Sequence, residues 1–248
     1  MRCQQALAFG VPPPFQFEAP TSWLTRLACA QGLGSMEELL RFLELPVGVD
    51  LDWHLRADAL DDLRQRCRLP PGAFGIADRV MLGAEASGVP LPRLLMTGRS
   101  GASQFRVCPF CLAERRTAHL DIHWRFKCWR WCPIHNCMLI GACPNCNASI
   151  EHPRLIESSR SGRRGHFSLG RCLRCSASFA QQTAMQVAAD SWDALDRSEW
   201  VWIRNGRAVL AALHAFRFTL QGRQYPIRSL ARRYGSLVGE RAGSTHTP

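Results

Sequence analysis

Between residues 108 and 175 the chain sets potential metal donors in pairs separated by two residues: Cys108 and Cys111 in CPFC, Cys132 and His135 in CPIH, Cys143 and Cys146 in CPNC, Cys172 and Cys175 in CLRC. Twelve cysteines in 248 residues would give about 0.6 Cys-x-x-Cys pairs by chance, and the chain has three. A two-residue gap lets both side chains of a tight turn converge on one ion, and two such turns complete a tetrahedron. Paired in sequence order, Cys108, Cys111, Cys132 and His135 form one expected site, and Cys143, Cys146, Cys172 and Cys175 form a second. Four protein donors leave no position for water, so the expected cofactor is two structural Zn²⁺ ions that stabilise a segment too small to fold well by itself.

A cross-brace of the RING-ligase kind normally has two or three residues between its His and the next Cys, whereas seven separate His135 from Cys143, which favours sequential pairing. A thioredoxin-like redox site would use one Cys-x-x-Cys and leave the others unexplained. Cys128 and Cys137 stand at the wrong spacing and read as buried or spare thiols, and Cys3, Cys29 and Cys67 carry no evident chemistry. His119, His123, His152 and His166 are fallback ligands, with His123-Trp124 read as packing.

The rest of the chain must position these turns. Apolar residues make up 46%, enough for real cores, and no apolar run approaches the length of a membrane span. MRCQQALAFGVPPPF lacks a signal-peptide core, so a soluble protein of a reducing cytoplasm is expected. The net charge of +11 divides unevenly: −1 over residues 1–104, +8 over 105–180 and +4 over 181–248. With both zinc sites loaded the total would still be about +8, a surface that attracts polyanions.

The reading is a mainly α protein. Residues 1–104 form a helical N-terminal domain, 105–180 tandem zinc modules and 181–248 a short helical region. In PTSWLTRLACAQGLGSMEELLRFLEL, Trp23, Leu24, Leu27 and Ala28 recur at helical spacing before Gly32. Ser35 and Glu38 then make a capping box for a second helix, giving a helix-turn-helix-like pair. Further helices are expected over 58–67 and around 76–96, with GRSGASQ (98–104) as a linker. Near the C-terminus, residues 207–220 and 227–239 predict two more helices. Arg228, Arg232 and Arg233 would lie on the solvent face of the second. These, with Arg160, Arg163 and Arg164 in the loop ESSRSGRRGHF (157–167), are the candidate phosphate contacts. No Gly-rich phosphate loop with Lys, HExxH or nucleophile elbow is present.

The order FRVCPFCLAE (105–114), HW (123–124) and CPIHNCMLIGACPNC (132–146), preceded by SWLTRLA (22–28), resembles the TniQ family of transposon target-selection adaptors over roughly residues 12–175. The resemblance implies a non-enzymatic protein with a helical N-terminal part and tandem zinc modules whose ligands are the eight residues named above. It also implies an AAA+ transposition ATPase as partner, together with target DNA or a CRISPR guide-RNA effector complex. The transposase would be engaged indirectly and no membrane is involved. The competing class is a zinc-finger transcriptional regulator.

Overall fold

Trp23, Leu24, Leu27 and Ala28 are the centre of the core in the computed structural model, which describes residues 7, 9–98, 101–153, 156, 168–181 and 197–234. They lie on α1 (Pro20–Ala30), a helix buried almost all round and ended by Gly32 at φ +69. Its N-cap position is Ala19, which has no side-chain acceptor; the Thr21 N–H is instead taken by Asp52, at 2.8 Å, from α3 (Leu51–His54). The second helix, α2 (Met36–Phe42), is capped by the Ser35 hydroxyl as expected, 3.3 Å from the Glu38 N–H. Two consecutive helices joined by a turn therefore stand where the pair was expected, but α2 offers solvent Glu37 and Glu38 beside Arg41, a poor surface for phosphate. The remaining helices of this part are α4 (Asp58–Arg66), α5 (Gly75–Ala86) and α6 (Leu91–Leu94).

The residues that follow contain little regular structure: α7 (Pro109–Glu114), a 3-10 turn at Ile122–Arg125, and the two-residue strands β1 (Trp131–Cys132) and β2 (Cys137–Met138), paired antiparallel. Backbone bridges stitch this part to the helices: Glu18 to Asp121, Leu95 to Phe126 and Gln104 to Glu151. The segment expected as a linker, 98–104, is no loose connection among the described residues. Thr97 pairs with Ser103, and the Gly98 N–H donates to the Ala102 carbonyl at 2.8 Å. Ser103 itself is buried.

Beneath these bridges lies a buried charge. Arg125, fully buried, donates from Nη2 to Asp50 Oδ2 at 2.6 Å and from Nη1 to Asp52 Oδ2 at 2.6 Å. It also reaches the Ser103 hydroxyl at 2.9 Å and the Met96 carbonyl at 3.2 Å. Burial alone would raise the Asp50 pKa, but the Arg125 hydrogen bonds hold it below the usual carboxylate range. Thr21 Oγ1 adds a 2.8 Å bond to Asp52, so α1, α3 and the metal-donor region meet at one guanidinium. Such a group is costly to bury and worse to leave unpaired, which makes it a device for fixing register.

The C-terminal part departs from expectation. One helix, α8 (Arg197–Ala215), is followed by a β-hairpin, β3 (Arg217–Leu220) and β4 (Arg223–Pro226), and by a 3-10 turn at Ile227–Ser229. Phe216, at φ +57, ends the helix where the apolar spacing of 207–220 would have continued it. Where the second helix was expected, over 227–239, the chain forms the 3-10 turn Ile227–Ser229 and further turn through Arg233. The missed signal was Gln221-Gly222 between short runs holding Phe218, Leu220 and Tyr225.

Two helical glycines explain how closely α8 sits. A Cβ on Gly83 of α5 would lie 2.0 Å from the Leu213 carbonyl oxygen, and one on Gly206 of α8 would lie 1.9 Å from that of Cys128. Ala is normally preferred to Gly in a helix by about 1 kcal/mol. Here the clash reverses the sign: Gly83→Ala is expected to destabilise by about 1–3 kcal/mol, seen as a lowered melting temperature. Gly72→Ala, with open space around it, should leave melting unchanged.

His152 supplies a pH test. Burial pushes its pKa down to about 4, and its Nε2 lies 3.2 Å from Thr25 Oγ1. A depressed folded-state pKa favours the neutral ring, so its contribution is complete above the unfolded value near 6.5 and is lost as pH falls toward 4. His152→Asn should remove this sensitivity, losing less stability than the parent between pH 7 and 5.5 by about 1 kcal/mol in denaturant titrations.

Candidate metal centres

Each donor pair is built by a local turn. Cys108 is the N-cap of α7, so Cys111 follows in its first turn, and the Cys111 N–H donates to Cys108 Sγ at 3.4 Å. The other three pairs use small hairpins. Cys132 and Cys137 face each other across β1 and β2; the Asn147 N–H donates to the Cys143 carbonyl at 2.7 Å, and the Ser176 N–H to the Cys172 carbonyl at 2.9 Å. In each of these hairpins the residue after the second donor has a left-handed backbone: Asn136 at φ +51, Asn147 at +56 and Ser176 at +61. That conformation curls the chain back so that two side chains point to one spot, and Asn tolerates it better than most residues.

The structure brings together Cys108, Cys111, Cys132 and His135, and separately Cys143, Cys146, Cys172 and Cys175, with the donor atoms of each group within 4.8 Å of one another. In the first group His135 Nδ1 lies 3.5, 3.3 and 3.5 Å from the sulfurs of Cys108, Cys111 and Cys132, and the last two sulfurs are 3.6 Å apart. In the second, Cys143 and Cys175 are 3.6 Å apart and Cys146 and Cys172 3.5 Å. A tetrahedral ion with Zn–S near 2.3 Å and Zn–N near 2.0 Å requires separations of about 3.5 Å between nitrogen and sulfur and about 3.8 Å between sulfurs. Spacing, thiolate-rich chemistry and burial all suit Zn²⁺, and each group can hold one metal ion.

Electrostatics point the same way. Without a cation the sulfurs compete for charge. Hydrogen bonds from Cys111 and Cys132 pull the Cys108 pKa down to about 2, while the bond to Cys108 raises that of Cys111. In the second group Asn145 pulls Cys175 down to about 6, and burial pushes Cys172 up to about 12. A dication would let every thiol ionise.

Two neighbours of the first group were not legible as partners. His135 turns Nε2 to Glu114 Oε1 at 2.9 Å, which fixes the ring with Nδ1 toward the sulfurs; Glu114 lies on α7, beyond any spacing rule. Cys137, buried as expected, places its sulfur 3.6 Å from that of Cys108, so it is a thiol directly adjacent to the first group. The other residues have packing roles. Cys128 is buried under Gly206. The His119 ring lies 4.1 Å from that of Phe15, and His123 Nε2 is 3.2 Å from His214 Nε2.

Of the candidate phosphate contacts, Arg160, Arg163 and Arg164 lie outside the described residues, as does His166. Arg228 and Arg232 are exposed. Arg233 lies with its guanidinium 4.4 Å over the Tyr225 ring. The helix expected over 227–239 is not continuous: Ile227–Ser229 is a 3-10 turn that carries Arg228, and Arg232 and Arg233 lie in the turn that follows; positions 235–239 lie outside the described residues. No helix among the described residues is long and apolar enough to cross a membrane.

The TniQ family model matches residues 10–139, a little over half of the chain and shorter than the 12–175 of the sequence resemblance. The match takes in α1 through β2 and the whole first donor group, and ends before Cys143. No curated protein matches the chain.

Metal analysis of purified variants separates the donors from the adjacent thiol. Cys132→Ser should lose about one equivalent of metal and Cys137→Ser none; loss on Cys137→Ser would make that sulfur a donor in place of His135.

Proposed function

The chain belongs to the TniQ family, and from that membership we propose that it is a non-enzymatic adaptor in DNA transposition that helps select the target site. In this reading it links an AAA+ ATPase regulator to target DNA or to a CRISPR guide-RNA effector complex, and reaches the transposase only through these partners, in the cytoplasm.

The observation that carries the proposal is the family match ending on a donor group with all four positions filled by protein. Two Zn²⁺ ions would be held by Cys108, Cys111, Cys132 and His135 and by Cys143, Cys146, Cys172 and Cys175. They would supply cross-links and no reactive water, because a tetrahedral ion with four protein ligands has no open position. Shape then becomes the product of metal binding. The helical part, near neutral in charge, offers a protein-docking surface, while the basic excess lies with residues 105–248. Arg160, Arg163, Arg164, Arg228, Arg232 and Arg233 would grip phosphates, and docking both partners on one body raises the local concentration of the machinery at the chosen site.

Binding to duplex DNA at several salt concentrations, with and without an AAA+ transposition ATPase, tests this function. The adaptor predicts weak, salt-steep binding by the chain alone that strengthens several-fold with the ATPase. Tight, sequence-selective binding by the isolated chain, indifferent to the ATPase, would replace the adaptor with a zinc-finger transcriptional regulator.

A further inference from the structure

The β3–β4 hairpin lies outside the span matched by the family model, and its form suits one kind of partner. Gln221 and Gly222 close it with φ +50 and +74, the positive pair of a two-residue turn whose twist matches its strands. The register sets Arg217 against Pro226, Phe218 against Tyr225, Thr219 against Gln224 and Leu220 against Arg223. Side chains alternate, so Phe218 and Tyr225 share one face, with ring centroids 5.5 Å apart and Phe218 buried against the body. Arg217, Thr219 and Gln224 stand exposed on the opposite face. Arg223 belongs to the Phe218 face but sits at the tip, past the core, and is exposed. Cations therefore flank the ribbon on both sides.

The hairpin's charge is also unbalanced. Residues 201–239 contain seven Arg and neither Asp nor Glu. Among the described residues no carboxylate pairs with Arg217, Arg223, Arg228 or Arg232, whereas Arg26, Arg41, Arg56, Arg64, Arg66, Arg115 and Arg125 each have one. The base, by contrast, is fixed. α8 is clamped at Gly83 and Gly206, the Ile227 N–H donates to the Phe216 carbonyl at 2.9 Å, and buried Tyr234 donates its hydroxyl to the Arg93 carbonyl at 3.2 Å.

We propose that this hairpin is a wing that enters the major groove of duplex DNA, with Arg217 and Arg223 meeting phosphates on opposite walls and Arg228 and Arg232 meeting the backbone beside it. The inference rests on the DNA-binding part of the proposed function and names its surface. A groove about 12 Å wide admits a two-stranded ribbon and places negative charge on both sides of it, as the two faces require. A flat anionic membrane would meet one face only, and the outward face offers it no large apolar side chain.

The test is fluorescence anisotropy of the full, metal-loaded chain on a labelled duplex, on a single strand of the same length and on phosphatidylserine vesicles, over a range of salt. Arg217→Gln/Arg223→Gln should weaken duplex binding at least about tenfold near 0.1 M salt and lower the log–log salt slope by roughly 2, with a much smaller loss on the single strand and the vesicles. Arg41→Gln, on α2, should bind the duplex as the parent does. Unchanged duplex affinity and slope, or an equal loss on all three ligands, would overturn the wing while leaving the adaptor standing. A parent that binds no duplex even at low salt would remove the DNA arm of the adaptor and the wing with it. If the double variant melts early, Arg223→Gln alone, at the tip, carries the same comparison with about half the change in slope.

Discussion

Convergence of paired donors onto single points is the constraint on which this molecule is built. From Cys108 to Gln181 the described backbone holds one six-residue helix, two 3-10 turns and a pair of two-residue strands, too little regular structure to bury a core by itself. What it has instead are tight turns, three with a left-handed residue after the second donor, which aim sulfur and nitrogen at two sites. A metal ion at each site would replace the missing hydrophobic area with a few strong bonds, and folding free energy would become metal-binding free energy. The split acidity of the thiols in both clusters is the same demand seen electrostatically: neighbouring sulfurs cannot all ionise until a cation joins them.

Local cross-links do not orient a module, and two further devices do. Arg125 reaches out of the metal-donor region into a pocket shaped by Asp50, Asp52 and Ser103, where one guanidinium satisfies groups from three parts of the chain. Because an unpaired buried charge is so unfavourable, small displacements of the module against α1 and α3 are resisted. On the other side, α8 approaches α5 and the Cys128 backbone so closely that only glycine fits at Gly83 and Gly206. Metal centres, helices and hairpin are thus held as one body. For an adaptor this matters physically: a rigid spacer keeps two docked partners at a defined separation, where a flexible one would dilute the gain in local concentration.

Charge follows the same division of labour. Among the described residues the helical N-terminal part pairs five of its eight arginines with carboxylates, and it carries almost no net charge, while the hairpin after α8 leaves its arginines without carboxylate partners. Under the proposed function, attraction to a polyanion would fall to residues 105–248, and within them the hairpin lies outside the family's matched region.

The donor pairs, their grouping into two sets, the Ser35 cap and the buried stripe of α1 were legible because each depends on residues a few positions apart: spacing in sequence fixes spacing in a turn or on a helix face. The hairpin was less legible, since the run from Val209 to Leu220 satisfies helical periodicity until Phe216 leaves it, and the short strands give only a weak alternation. Arg125, Gly83, Gly206 and Glu114 stand out in no local pattern, Cys137 is expected only as a buried or spare thiol, and 98–104 as a linker. Their roles are set by groups between 21 and 130 residues away, the carboxylates of Asp50 and Asp52, the carbonyls of Leu213 and Cys128, the ring of His135, the sulfur of Cys108 and the backbone of Glu151. The sequence by itself determined which turns can present metal donors; only tertiary packing decided what those turns are fastened to, because contacts between distant segments leave no period in the chain.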